Sequence, residues 1–301
     1  MISRLNLSLS TTCPAKCVYC PANRGQRVHG HMSMKVVNKA LNDCRGFPIQ
    51  EMQVGENGEA LANPNVVEIL RRIRRVLPAT GINLTTNLYL CDERMTEVLL
   101  GEGLVNSIQM NVDGHDAVSY QAQKGLPYSI MMRNLRALLY IRDRWYPAFP
   151  VSISVLTLTD YIHAVDRRFG ACPTGLGEEQ PTSHSSFHLV AESLLWTGVP
   201  IRRAPVFAWA ERALSKGGAA SYQCPQLPRV EAEAFIAPNG DWYACCLDSN
   251  TELVMGNILE SSIPEIADSP RRVCFIEQLK AKAFLEIGGP CATVDCCQVI
   301  G

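Results

Sequence analysis

Three cysteines stand close together near the start of the chain, Cys13, Cys17 and Cys20, at C-x3-C-x2-C spacing. They follow the alternating apolar run from Ile2 to Leu9, so the loop that carries them leaves the end of a strand. Thiolates hold iron–sulfur clusters, and three of them in one tight loop can bind three irons of a cubane. The fourth iron is then open to a small molecule. A zinc knuckle, or three unrelated core thiols, is the competing reading. Zinc sites pair C-x2-C units and take four ligands, which this loop alone does not supply.

A second group of thiols gathers at the other end of the chain, where seven of the thirteen cysteines lie between Cys224 and Cys297. Cys224 and Cys245 frame a C-x15-G-x4-C unit, and Cys291 precedes the pair Cys296-Cys297 by a C-x4-C-C spacing. Asn239-Gly240, flanked by Phe235–Pro238 and Trp242–Cys246, signals a hairpin turn. Cys246 directly follows Cys245, and in a strand adjacent side chains point to opposite faces, so the two thiols cannot share one direction. The bland alternative makes Cys246 a small buried hydrophobe. Cys44, Cys91, Cys172 and Cys274 fall at helical or loop positions and read as structural.

Composition narrows the class. A chain of 301 residues with 47% apolar and 19% charged residues can bury a sizeable globular core. The net charge of −1 gives no reason to expect nucleic acid as a partner. No apolar run is long enough to span a bilayer, and the first residues lack a signal-peptide core. A cytoplasmic location is therefore expected. In that reducing compartment thirteen cysteines point to metal or redox chemistry rather than disulfides.

The elements that must position these thiols follow a β-then-α rhythm. Strands are predicted at Ile2–Leu9, Met52–Gly55, Gly81–Thr86, Ser107–Val112, Val151–Leu156 and Pro200–Val206. Helical spacing falls between them at Ser33–Asp43, Asn65–Val76, Asp92–Glu102, Ser129–Arg144 and Thr159–Arg168, with N-caps expected at Ser33, Asn63, Asp92 and Thr159 or Asp160. About six such units make a parallel sheet with helices outside. In barrels of this kind the site forms at the C-terminal strand ends, where the three-cysteine loop belongs. Cys172–Ser186 reads as a loop, either a lid or a surface insertion, and His163, His184 and His188 lack metal spacing and receive no role. Beyond residue 206 come the hairpin, Val254–Ile258, a helix from Ile263 and another from Arg271 to Glu286.

The three-cysteine spacing resembles the signature of the radical S-adenosylmethionine (SAM) enzymes, and the C-terminal cysteines with Met255-Gly256-Asn257-Ile258 resemble their twitch module, a shortened form of the SPASM extension. The resemblance implies a partial (β/α)6 barrel over residues 1–205 and a small α+β auxiliary-cluster domain over 206–301. It implies two 4Fe–4S clusters: one on Cys13, Cys17 and Cys20 with SAM at its open iron, the other on Cys224, Cys245, Cys291 and Cys296, where Cys297 competes for the last place. Asn57-Gly58-Glu59-Ala60 is similar to the family's "GGEP" loop, which places Gly58 and Glu59 at the SAM amino group. Asn87, in Thr85-Thr86-Asn87, and Asn111, in the stretch ending Asp113-Gly114, correspond to ribose contacts, and Tyr19 to packing on the adenine.

In such enzymes the reduced first cluster cleaves SAM to a 5′-deoxyadenosyl radical that takes a hydrogen atom from an unactivated C–H bond. Twitch enzymes include an aminocyclitol dehydrogenase and carbohydrate epimerases of aminoglycoside pathways. A thiol at the position of Cys246, rather than an aromatic residue, resembles an epimerase of the neomycin type, in which that thiol returns hydrogen from the opposite face. The implied partners are a small-molecule aminoglycoside and an external one-electron reductant of flavodoxin or ferredoxin type. Glu56, Asp113, Asp116 and Asp248 are candidate carboxylates for a cationic sugar by location, with a cap or surface role favoured for Asp116. The alternatives are a SAM-dependent dehydrogenase of an aminocyclitol or amino sugar, and a peptide-modifying maturase. From a different class come a non-catalytic iron–sulfur carrier and a zinc-binding scaffold.

Overall fold

The apolar run after Met1 folds as a short strand, β1 (Arg4–Leu7), whose Leu5, Asn6 and Leu7 are buried. The structure is a computed structural model and describes residues 2–20, 30–45, 49–156, 187–203, 222–292 and 298–299. Two compact units divide the chain. The first gathers Met1–Thr12, Arg24–Ile82 and Trp209–Gly301, and the second Cys13–Asn23 and Asn83–Ala208.

In the first unit β1 is the centre of a sheet. On one edge it pairs in parallel with β2 (Glu51–Val54), in the register Leu5↔Met52. Its other edge pairs, also in parallel, with β8 (Glu233–Ile236), in the register Leu5↔Ala234. Antiparallel β9 (Asp241–Tyr243) and β10 (Val254–Asn257) extend that side. A separate ribbon joins β7 (Tyr222–Gln223) to β11 (Gln298–Val299). Turn chemistry places the hairpin where Asn239-Gly240 predicted it, with Gly240 at φ +93° and its N–H donating to the Ala237 carbonyl at 2.9 Å. Helices α1 (Met34–Asp43) and α2 (Val66–Val76) bury Val36, Val37, Ala40, Leu41 and Val66, Ile69, Leu70, Ile73 at helical spacing.

The second unit carries parallel strands β3 (Gly81–Thr86, its last four residues), β4 (Ser107–Asn111), β5 (Val151–Val155) and β6 (Ile201–Arg203), in that order. Its helices are α3 (Glu93–Gly101), α4 (Ala117–Lys124), α5 (Tyr128–Trp145) and α6 (Phe187–Ser193). The remaining helices belong to the first unit: α7 (Leu227–Ala232), α8 (Ile263–Ala267), α9 (Pro270–Lys280) and α10 (Phe284–Ile287). The α/β class, with parallel strands β1 to β6 of partial-barrel type and an α+β C-terminal section, is as expected. None of the described helices is long and apolar enough to cross a membrane.

Several details differ from the sequence reading. Helix α4 was not foreseen; its start is fixed by a capping box in which Asp116 accepts from the Ser119 N–H at 2.8 Å. The single helix expected from Arg271 to Glu286 is two, because Lys282 takes a left-handed φ of +59° between α9 and α10. β9 ends at Tyr243, so Cys245 and Cys246 lie beyond the strand and its alternation does not govern them. Ser33 and Asp92 cap as expected, whereas Asn65 and not Asn63 occupies the N-cap of α2. The predicted helix Thr159–Arg168, the loop Cys172–Ser186, with His163 and His184, and the end of the strand beyond Arg203 lie outside the described residues.

Asn63 has a larger task than a cap. It is buried, and its amide donates to the carbonyls of Leu9 at 2.8 Å and Met32 at 3.0 Å, while its oxygen accepts from the Asn65 N–H at 2.9 Å. One side chain thus ties the exit of β1 and the approach to α1 to the start of α2. Replacing Asn63 by Ala leaves three backbone groups without this partner. We expect it to cost about 3 kcal/mol, read as a lower midpoint in chemical denaturation, with Asn63→Asp, which keeps the acceptor but loses both donors, close behind.

Candidate active site

In the second unit the three-cysteine loop is strapped to the end of α4. The N–H groups of Lys16 and Val18 donate to the carbonyls of Lys124 at 2.8 Å and Gln123 at 3.0 Å, and the Cys20 N–H donates to the Cys17 carbonyl at 3.1 Å. Gly125 ends α4 in the left-handed conformation, φ +66°, where a Cβ would meet that of Lys16 at 3.1 Å. The helix closes against the loop because this position has no side chain.

Under the loop lies a buried charged group. Lys124 and Asp113 are 3% and 1% exposed and pair at 2.5 Å. The Lys124 ammonium also donates to the Tyr19 hydroxyl at 2.8 Å, and that hydroxyl donates to Asp113. The other Asp113 oxygen accepts the Leu156 N–H at 2.6 Å. Burial is the strongest single influence and opposes the lysine's charge, but Asp113, with Cys17, Tyr19 and Tyr120 acting in the same direction, together hold the ammonium well above its ordinary range. Burial, then Asp113, pushes the Tyr19 phenol up in turn. Burial also raises the Cys17 thiol, while the Lys124 cation pulls it back toward thiolate.

Asn87 donates to the Cys13 sulfur at 3.4 Å. Its neighbour Leu88 is fully buried at φ +64°, a conformation that costs a leucine free energy and is kept by its surroundings. The Asn134 amide holds it, donating to the Leu88 carbonyl at 2.7 Å and the Tyr89 carbonyl at 3.1 Å. Asn111 is half-buried at the end of β4, in register with Ser154 of β5.

The first unit holds the other expected SAM loop. Gly58 sits at φ +112°, and a Cβ there would lie 2.2 Å from the Ser10 carbonyl, so only glycine fits. Glu59 is buried; its N–H donates to the Thr12 carbonyl at 3.1 Å, and its carboxylate accepts the Leu61 N–H at 3.3 Å, capping the short 3-10 turn Ala60–Ala62.

The same unit brings the C-terminal thiols together. Cys245 is buried and raised well above the ordinary thiol range, first by burial and then by Cys246, Cys291 and Cys224 beside it. Cys296 and Cys297 lie outside the described residues. Among the described residues no three His, Cys, Asp or Glu side chains are grouped for a single metal ion. The residue types are those that iron–sulfur clusters take: three thiols on one anchored loop, and Cys245 with Cys224 and Cys291 within electrostatic reach of it.

Cys246 faces a different set of groups. Its sulfur accepts from Arg229 Nη1 at 3.0 Å and its S–H reaches Gln226 Oε1 at 3.5 Å. Arg229 is paired with Glu56 at 2.7 Å and with Glu233 at 2.9 Å. Burial, then Glu56, pushes the Cys246 thiol up to about 12, with Arg229 opposing, so the sulfur keeps its hydrogen at neutral pH. Burial also raises Glu56, against the pull of Arg229, and its second oxygen is buried without a hydrogen-bond partner. Of the four carboxylates proposed for a cationic sugar, Glu56 is the one beside Cys246. Asp113 is committed to Lys124 and Tyr19, and Asp116 caps α4. Asp248 is buried and accepts the N–H groups of Glu252 at 2.8 Å and Leu253 at 3.0 Å. The sequence reading missed Lys124, Asn134, Gln226 and Arg229, whose roles rest on partners distant in the chain; only Arg229 and Glu233, four apart, carried a local signal.

The chain matches two family models: the radical SAM superfamily over residues 7–144, and the SPASM iron–sulfur cluster-binding domain over residues 224–296. A probable GTP 3′,8-cyclase of Methanococcus maripaludis is 29% identical over 121 residues, 40% of this chain and 39% of that protein. A GTP 3′,8-cyclase of Clostridium perfringens is 24% identical over 115 residues, 37% of this chain and 35% of its own length. The match thus spans well under half of these curated relatives. Among solved structures, BtrN in complex with AdoMet and 2-DOIA covers 100% of this chain and 94% of its own, at TM-score 0.58 and 14% identity. Streptococcus suis SuiB bound to S-adenosylmethionine covers 92% of this chain and 68% of its own, at TM-score 0.59 and 14% identity. At such identities the likeness concerns the fold.

The buried pair under the cysteine loop makes a direct prediction. Lys124→Met strands the Asp113 carboxylate in the interior and should destabilise the protein by about 3–5 kcal/mol. Adding Asp113→Asn should restore most of the loss, as followed by denaturant unfolding of the two variants side by side.

Proposed function

Because the chain carries a radical SAM domain and a SPASM iron–sulfur cluster-binding domain, we propose that it is a radical SAM epimerase that inverts a C–H stereocentre of an aminoglycoside sugar, as in the conversion of neomycin C to neomycin B. SAM and two iron–sulfur clusters are the cofactors of this pair of domains. Cys13, Cys17 and Cys20 hold the first cluster; Cys224, Cys245, Cys291 and Cys296 hold the second. Gly58, Glu59, Asn87, Asn111 and Tyr19 bind SAM. Residues 1–205 form the barrel module and 206–301 the auxiliary one.

When bound, the first cluster with SAM supplies a 5′-deoxyadenosyl radical and the second a path for single electrons. The chain's own contribution is a hydrogen donor for the substrate carbon radical. Cys246 fills that role: its S–H bond breaks, a new C–H bond forms on the opposite face, and the sulfur is left as a thiyl radical. One electron, originating in a flavodoxin- or ferredoxin-type reductant, and one proton from water return it to the thiol. Such thiol chemistry suits the reducing cytoplasm expected for the chain.

The observation that carries this reading is the separation of two adjacent thiols. Cys245 is buried and feels Cys224 and Cys291, whereas Cys246 turns to Arg229, Gln226 and Glu56. The surrounding charge suits a cationic sugar: the carboxylates of Glu51, Glu56 and Glu233 face the guanidinium groups of Arg4 and Arg229, one negative group in excess.

A second reading, SAM-dependent dehydrogenation of an aminocyclitol or amino sugar, draws on the likeness in fold to BtrN, whose complex holds AdoMet and 2-DOIA. Peptide modification draws on SuiB, solved with its precursor peptide, though the likeness spans 67% of that chain. Reconstituted protein, SAM, a reductant and neomycin C in deuterium oxide separate the readings. We expect one deuterium at an inverted carbon with the wild type. Cys246→Ala should lose that product while 5′-deoxyadenosine still forms. A wild-type product two mass units lighter would mean dehydrogenation and return Cys246 to a core residue.

A further inference from the structure

Cys246 lies on a turn beyond β9, with no strand to fix it. What fixes its sulfur is Arg229. The guanidinium binds Glu233 through Nε at 3.0 and 3.1 Å and through Nη2 at 2.9 Å, so two of its nitrogens grip one carboxylate and set the plane of the group. Glu233 is the first residue of β8, held in register with Arg4 of β1, and its carboxylate also accepts from Arg4 at 3.1 Å and from Asn6 at 2.9 Å. Arg229 Nη2 further binds Glu56 at 2.7 Å. With the plane fixed and these directions taken, Nη1 donates to the Cys246 sulfur at 3.0 Å. On the other side of the sulfur, Gln226 Oε1 accepts the S–H. The ring of Phe235 lies under the guanidinium at 5.2 Å.

We propose that Arg229 is a positioning residue for hydrogen return: its Glu233-anchored guanidinium fixes where the Cys246 sulfur sits, about which the S–H is free to turn from Gln226 to the substrate carbon. The inference rests on Cys246 being the hydrogen donor. It adds that the donor is placed by side-chain geometry and not by the strand that precedes it. Hydrogen-atom transfer needs the S–H bond directed at the radical carbon within a short distance, so a displaced sulfur slows return more than it slows the preceding abstraction. A lysine keeps the charge but offers a single nitrogen, which cannot grip Glu233 in the plane and reach the sulfur together.

The readout is the ratio of epimer to 5′-deoxyadenosine formed from neomycin C in deuterium oxide, for wild type, Arg229→Lys, Arg229→Gln and Glu233→Gln. A merely structural defect lowers both products together and leaves their ratio unchanged. The proposal predicts a ratio at least tenfold lower in both Arg229 variants. Glu233→Gln, which keeps the arginine but weakens its anchor, should fall in the same direction by less. A substrate-radical signal in freeze-quenched electron paramagnetic resonance should grow as the ratio falls. An unchanged ratio in all three variants, with a wild type that epimerises, overturns the role of Arg229 and leaves the epimerase reading intact. So does full restoration by Arg229→Lys. A wild-type product two mass units lighter overturns the epimerase reading itself, and the role of Arg229 with it.

Discussion

Strand β1 carries ladder hydrogen bonds on both edges, to β2 and to β8, and the candidate chemistry of the first unit depends on that double pairing. β8 begins more than two hundred residues after β1, yet Arg4 faces Glu51 on one side and Glu233 on the other in strict register. A register slip by one residue would turn every side chain of β8 to the other face and take Glu233 away from Arg4, Asn6 and Arg229. Because the register holds, residues from the start of the chain, the loop after β2 and the C-terminal section meet in one polar array: Asn6, Glu56, Arg229, Glu233 and Cys246. Hydrophobic packing of Leu5, Leu7, Met52, Val54, Phe235 and Ile236 stabilises the sheet that holds the array in place.

Both units place charge in the interior and compensate it locally. Lys124, Asp113 and Tyr19 form one such group, and Arg229 with two carboxylates forms the other. Pairs of this kind are weak sources of net stability, since desolvation consumes most of their attraction. Their value lies in direction. A buried ammonium fixes Tyr19, which sits between Cys17 and Cys20 in sequence, and a half-buried guanidinium fixes the sulfur of Cys246, next to Cys245. The strained Leu88 beside Asn87 adds a third point where the fold accepts a cost next to the cysteine loop.

Local chemistry was legible in the sequence, and distant pairing was not. The strands from β1 to β5 lie where alternation placed them, Ser33 and Asp92 cap their helices, and Asn239-Gly240 makes its hairpin, because each signal is local. Helix α4 escaped notice since Ala117–Lys124 mixes buried Ser119, Tyr120, Gln123 and Lys124 in place of an apolar stripe. The fate of the four carboxylates was equally hidden. Nothing near Asp113 in the chain announces Lys124 as its partner, and Asp248 gave no sign that it would bind a turn of backbone. Cys246 stood out by its place after Cys245, but the arginine that holds it is known only once α7 meets the turn beyond β9.

The proposed chemistry needs two sets of thiolates holding two cubane clusters, and metal analysis of anaerobically reconstituted protein tests that most directly. Iron and sulfide should each approach about eight per chain. Replacing Cys13, Cys17 and Cys20 together by alanine should halve both values and leave the auxiliary cluster's spectrum in place. Zinc in stoichiometric amount, with iron near zero, would contradict the account, because neither the radical chemistry nor the placing of Cys246 beside a redox centre would then have a basis.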